Sequence, residues 1–219
     1  MKKVLFLLAS LFAAVLAVNA QEKSITDYFN EGINKYRAGE YKKAIQSFNK
    51  VLELNPKFIE AYGNMRNAKF RLGDYKGAKA DYDVVLESNE QDALTFYTRA
   101  IARKELGDIQ GSIDDSNTAI KINPKFSEAY FNRGNSYAEL GDEKAALKDY
   151  NKAIALTPQF AKAYYNRGHL RYKGGDVEAA ALDWERAASL DFYKAFDSLK
   201  EYCGIGTQET NCDPTVGLK

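Results

Sequence analysis

This 219-residue sequence predicts an all-α solenoid of five helix–turn–helix repeats closed by a C-terminal capping helix. Gly-acidic pairs stand at Gly39-Glu40, Gly73-Asp74, Gly107-Asp108, Gly141-Asp142 and Gly175-Asp176, each 34 residues after the last. A fixed period of that length marks stacked two-helix units that share one continuous core and fold poorly alone. Five copies follow, 25–58, 59–92, 93–126, 127–160 and 161–194. Apolar residues at Phe192, Ala195, Phe196 and Leu199 then fall on one helical face, which predicts a capping helix over 195–203 with a polar outer side.

Ahead of the repeats, residues 1–20 have the layout of an export signal. Lys2 and Lys3 form a basic start, Val4 to Val18 is apolar apart from Ser10, and Val18-Asn19-Ala20 offers small residues for cleavage before Gln21. An apolar run of that length is short of the roughly 20 residues a spanning helix needs, so the expected destination is the periplasm or beyond, with no membrane span after cleavage. Ser24, with Asp27 three residues on, opens the first helix as a capping box. In every repeat Gly ends the first helix in a left-handed conformation, and the acidic residue after it caps the second. Asn55-Pro56, Asn123-Pro124 and Thr157-Pro158 stop the second helices. Residues 204–219, rich in Gly, Thr and Asn, form an irregular tail.

Within a repeat the helices must cross closely, which asks for small residues. Gly32, Ala100, Gly134 and Gly168 occupy one such place; Ala44, Ala78, Ser112, Ala146 and Ala180 occupy its partner. Phe48, Tyr82, Tyr150 and Trp184 fill the space between. Arg66 at the small place predicts a looser crossing in repeat two, and Ser112 with Ser116 predicts the thinnest core in repeat three.

The fourth copy carries Tyr130, Arg133-Gly134, Tyr137, Ala146, Tyr150 and Pro158. This spacing resembles the tetratricopeptide repeat, with Tyr for Trp, Arg for Leu and Tyr for Phe. The resemblance implies a right-handed α-solenoid whose first helices line a concave groove, and a scaffold that binds an extended peptide or a partner protein. Some members of that family hold a C-terminal carboxylate through Lys, Asn, Asn, Lys and Arg on successive first helices. The matching places here hold Tyr97, Ile101, Asn132, Lys162 and Asn166, so only Asn132 and Lys162 fit and no preference for acidic C-terminal tails is expected.

Composition narrows the classes further. Without Lys2 and Lys3 the 31 basic residues become 29 against 30 acidic ones, which gives no basic surface for nucleic acid. No phosphate loop, nucleophile elbow, H-E-x-x-H or C-x-x-C occurs, and the single histidine, His169, falls in the first helix of repeat five. The expectation is a protein without catalysis, cofactor or metal, monomeric, acting as an adaptor. The alternatives are a self-assembling envelope protein and an accessory subunit of an enzyme complex. Cys203 and Cys212, in an exported chain, predict one disulfide.

Two residue series single out sites. Arg99, Arg133 and Arg167 recur in first helices, and Asp81, Asp115, Asp149 and Asp183 in second helices. Ser47 and Met65 lack both partners together, which predicts pairs between neighbouring repeats: Asp81–Arg99, Asp115–Arg133 and Asp149–Arg167. Asn30, Asn64, Thr98, Asn132 and Asn166 form the second series. Asn is a mediocre helix former, and an amide that both donates and accepts matches a peptide backbone of any sequence. Phe29, Tyr97, Phe131 and Tyr165 precede this ladder by one residue, and Ile101, Asn135 and His169 follow it by three on the same helical face. Together they are the expected peptide groove.

Overall fold

The computed structural model describes residues 23–88 and 91–203. The leader at 1–20, the tail at 204–219 and the Cys203–Cys212 bridge lie outside the described residues, although the last helix ends at Cys203. The described residues form eleven helices and no strand. First helices are α1 (Ile25–Arg37), α3 (Ile59–Arg71), α5 (Ala93–Glu105), α7 (Ser127–Glu139) and α9 (Ala161–Lys173). Second helices are α2 (Tyr41–Leu54), α4 (Tyr75–Ser88), α6 (Ile109–Ile122), α8 (Glu143–Leu156) and α10 (Val177–Ala188), and α11 (Lys194–Cys203) follows. None of these helices is long and apolar enough to cross a membrane.

The chain divides into two compact units, Met1–Asp74 and Tyr75–Lys219. The line falls inside repeat two, where Arg66 stands at the place that is Gly or Ala elsewhere. In the first unit α1, α2 and α3 pack on one another, with Phe48, Val51, Ala61 and Met65 at its centre. In the second unit α5 pairs with α6, α7 with α8 and α9 with α10, and each second helix packs on the first helix that follows. The end of that unit is a cluster around Trp184, formed by α9, α10 and α11 with Tyr164, Tyr165, Tyr172 and Tyr202 packed against it.

Turn glycines do what the period requires. Gly39, Gly73, Gly107, Gly141 and Gly175 all have φ between 75° and 85°, a region that costs any other residue strain. Asp108, Asp142 and Asp176 cap α6, α8 and α10 by accepting from the amides of Gly111, Ala145 and Ala179. Glu40 makes no such cap. Its longer side chain turns instead to Lys43 at 2.8 Å and Lys35 at 3.4 Å. At α1 the expected box is present, with Ser24 and Asp27 exchanging bonds of 3.1 and 2.9 Å.

In repeats one, four and five the first helix leaves no room for a side chain where it crosses the second. A Cβ on Gly134 would stand 2.8 Å from the Tyr150 ring, and one on Gly168 would stand 2.7 Å from Trp184 Nε1. Ala44, Ala146 and Ala180, at the partner place, are fully buried. One expectation for the cap fails. Ala195 and Leu199 are buried on α11, but Phe196 is 47% exposed. The buried stripe runs through 195, 198 and 199, continued by half-buried Tyr202, and Phe196 lies one residue off it.

These crossings yield a test. Gly168→Ala is expected to lower stability by about 1–3 kcal/mol, the usual cost of overpacking a rigid ring. Gly63→Ala, in α3 with nothing within 4 Å of the new Cβ, is expected to raise it by about 0.5–1 kcal/mol through helix propensity. Thermal denaturation of the two variants checks the opposite signs.

Candidate functional site

Hairpin geometry decides the arginine series, and it overturns the expected pairs between repeats. Arg99 Nε and Nη2 donate to Asp115 at 2.8 and 2.7 Å, Arg133 to Asp149 at 2.7 and 2.6 Å, and Arg167 to Asp183 at 2.9 and 2.6 Å. Each is a two-pronged fork inside one repeat, on a carboxylate that is only 3% exposed. Asp81–Arg99, Asp115–Arg133 and Asp149–Arg167 are therefore not the pairs formed. Antiparallel helices bring the middle of the first helix against the middle of the second, 16 residues on. The neighbouring repeat takes the third nitrogen. Arg99 Nη1 donates to Asp83, Arg133 Nη1 to Asn117 and Arg167 Nη1 to Asn151, at 2.7, 2.6 and 2.6 Å. The seam between repeats is thus fixed by the residue two places after the series Asp.

The asparagine ladder also comes apart. Asn30 is exposed, Asn64 donates to the Glu60 carbonyl at 2.7 Å, and Thr98 donates to the Leu94 carbonyl at 2.8 Å, so these bind their own helix or solvent. Asn132 is 4% exposed and donates to Ser112 Oγ at 3.2 Å and Ser116 Oγ at 3.0 Å. Ser136 closes this set with a 3.0 Å bond to Ser112. Repeat three thus fills the space an aromatic ring would take with a buried polar network. Asn132 is withdrawn from the groove and from the carboxylate-clamp comparison alike.

Aromatic members of the expected groove are structural too. Phe29 packs on Phe58 at 5.2 Å, Tyr97 on Phe126 at 4.9 Å, Phe131 on Phe160 at 4.8 Å and Tyr165 on Phe192 at 4.9 Å. Each pair ties the start of a repeat to its end. Ile101 is half-buried on α5.

What remains gathers in one place. Asn135, Asn166 and His169 line a cavity of about 270 Å³ with Ala138, Leu170 and Tyr150. Asn135 Oδ1 accepts from Tyr150 at 2.8 Å and from Asn166 Nδ2 at 2.7 Å. That leaves Asn135 Nδ2 as a donor and Asn166 Oδ1 as an acceptor, side by side over an apolar floor. Burial pushes the Tyr150 phenol up to about 12, so it stays a donor at neutral pH and holds Asn135 in this orientation. His169 sits with its ring 4.5 Å from Tyr165, 5.1 Å from Trp184 and 6.2 Å from Tyr202, and its Nε2 lies 3.4 Å from Ser198 Oγ on α11. Burial lowers its pKa, against a smaller opposite pull from Glu201. The imidazole is neutral at pH 7 and serves as wall. Tyr150 reads in the sequence as a ring of the repeat core, and no sequence signal marked Ala138 or Leu170. Among the described residues no cluster of three His, Cys, Asp or Glu side chains could hold a metal ion.

Comparison with known proteins agrees with this architecture. A TPR repeat family model matches residues 102–141 and 134–175, and a tetratricopeptide repeat model matches 26–58. Residues 26–58 and 102–175 therefore match tetratricopeptide repeats. No curated protein matches it. Among solved structures it is similar to MamA, at 24% identity over 75% of this chain and 96% of that one, with a TM-score of 0.68. YrrB, a TPR protein described as having an unusual peptide-binding site, is 22% identical over 85% and 97% of the two chains, with a TM-score of 0.66. A thermophilic TPR protein of Thermus thermophilus, TTC0263, is 19% identical over 80% and 98%, with a TM-score of 0.63. At these identities the likeness establishes the fold.

Asn132→Ala is expected to cost about 1–3 kcal/mol of stability, because Ser112 and Ser116 lose their buried partner. Asn135→Ala, on a half-buried side chain facing the cavity, is expected to cost under about 1 kcal/mol. Denaturant titration of both variants checks the ranking.

Proposed function

We propose that this tetratricopeptide-repeat chain is a non-catalytic scaffold that binds an extended peptide segment of a partner protein. The observation behind it is the amide pair over the cavity between α7 and α9. Asn135 Nδ2 and Asn166 Oδ1 present one donor and one acceptor, the complement of the C=O and N–H of one extended residue, which point to the same side of the chain, and Tyr150 holds Asn135 in place. A main-chain reader of this kind accepts many sequences. Ala138, Leu170 and the neutral His169 ring give the apolar surface for one uncharged side chain. Each amide contact supplies roughly 0.5–1.5 kcal/mol, so useful affinity needs several side-chain contacts as well.

Export through the leader at 1–20 belongs to the same proposal, and it places the partner in the periplasm or outside the cell. In protein recovered from the host, an N-terminus at Gln21 is expected.

Selection from a random peptide library on this purified protein tests the binding. Extended peptides are expected to emerge, and Asn135→Ala with Asn166→Ala to weaken them at least ~10-fold, about 1.4 kcal/mol, with the melting temperature nearly unchanged. A library that yields no binder, or binders indifferent to the double substitution, contradicts the reading.

A further inference from the structure

Helix α11 repeats the docking of a first helix, two residues early. Ser198 reaches His169 across 29 positions, where Asn166 reaches Asn135 across 31. Phe192 lies on Tyr165 as Phe160 lies on Phe131, at 4.9 and 4.8 Å. In this register Ala195 takes the place of Ala163, and both are fully buried. Leu199 and Lys200 then take the places of Arg167 and Gly168. In repeats four and five a second helix covers that face, pressing Tyr150 on Gly134 and Trp184 on Gly168. On α11 no second helix covers it among the described residues. Among the described residues the seat is a groove of about 370 Å³ between Glu185 and Ala188 of α10, Ser189 just after it, and Phe196, Leu199 and Lys200 of α11. Its walls are almost wholly apolar. Phe196, which lines it, and Tyr193, stacked on Phe196 at 6.5 Å, are 47% and 74% exposed.

We propose that a second copy of this chain covers the seat, with α11 packed antiparallel on α11 about a two-fold axis. A two-fold contact must be self-complementary, each residue meeting its counterpart's partner. The exposed stripe of α11 has that property. Phe196, Asp197 and Lys200 share one face at helical spacing, with Tyr193 just ahead of the helix, and the acid and the base are one turn apart. An antiparallel copy sets Asp197 of each chain opposite Lys200 of the other, twice. The two Phe196 rings then enter the grooves beside Ala188 and Leu199. Lys200 in the glycine place keeps a covering helix from the close crossing of a hairpin, which suits the wider spacing of two α11 helices. The proposal is independent of the peptide site, which lies between α7 and α9.

Sedimentation equilibrium of the purified protein, with reductant present so that no disulfide-linked pair is counted, tests it. A dimer is expected with a dissociation constant at or below about 1–100 μM. Phe196→Asp is expected to give monomer with unchanged helix content. Asp197→Lys and Lys200→Glu are each expected to weaken the dimer at least ~10-fold, and the two together to restore it. The charge pair keeps the test decisive where Phe196→Asp disturbs folding. Monomer at every concentration overturns the proposal, as does a dimer that survives Phe196→Asp, or a double swap that fails to restore association. A seat bound only by a helix of another protein shows itself as the monomer outcome.

Discussion

In repeats one, four and five no Cβ fits where the two helices cross, and the packing of those repeats follows from that. With Gly134 and Gly168 at the crossing, the rings of Tyr150 and Trp184 lie directly on the facing backbone. This closeness fixes the rotation of each helix about its axis. One face of the first helix then meets the second helix of its own repeat. Another face meets the second helix of the repeat before, and a third is left for the groove. The arginine forks lie on the first contact, the Asn117 and Asn151 contacts on the second, and the Asn135–Asn166 pair on the third.

The same constraint separates what could be read in the sequence from what could not. Helix order, turn glycines and the small crossing residues were legible because they depend on local backbone geometry that recurs every 34 residues. The arginine partners were not. The joint absence at Ser47 and Met65 suggested pairing across repeats, but it was a single coincidence. A second joint absence gives the other phase: Gly63 and Asp92 stand within one repeat at the places that Phe131 and Phe160 fill elsewhere. Phe131 and Phe160 do pair within their repeat.

Asn132 shows why a periodic series is not a site. All five ladder positions occupy the same place in the repeat, yet their surroundings depend on the second helix before them. Repeat three carries Ser112 and Ser116 there, and the vacated volume draws Asn132 inward. Repeat four carries Tyr150, whose hydroxyl extends to Asn135 and leaves Asn166 at the surface of the cavity. Sequence named Asn135, Asn166 and His169 as groove residues. It had no means of distinguishing them from Asn132, because burial is a property of the neighbours. The cap follows the same logic, since α10 ends two residues earlier in its repeat than the other second helices, which shifts the register of α11 and leaves Phe196 off the buried stripe.

The hairpin, more than the seam between hairpins, is the unit that these side chains hold. A pair of double-mutant cycles on Arg133 measures it most directly. With Asp149, 4% exposed at its side chain and forked at 2.6 and 2.7 Å, Arg133→Met or Asp149→Leu alone is expected to cost about 3–5 kcal/mol, because each leaves a buried charge uncompensated. The two together are expected to cost less than either alone. With Asn117, on the neighbouring repeat, the coupling is expected to stay below about 1 kcal/mol. Additive losses at Arg133 and Asp149, or a larger coupling with Asn117, would contradict the account.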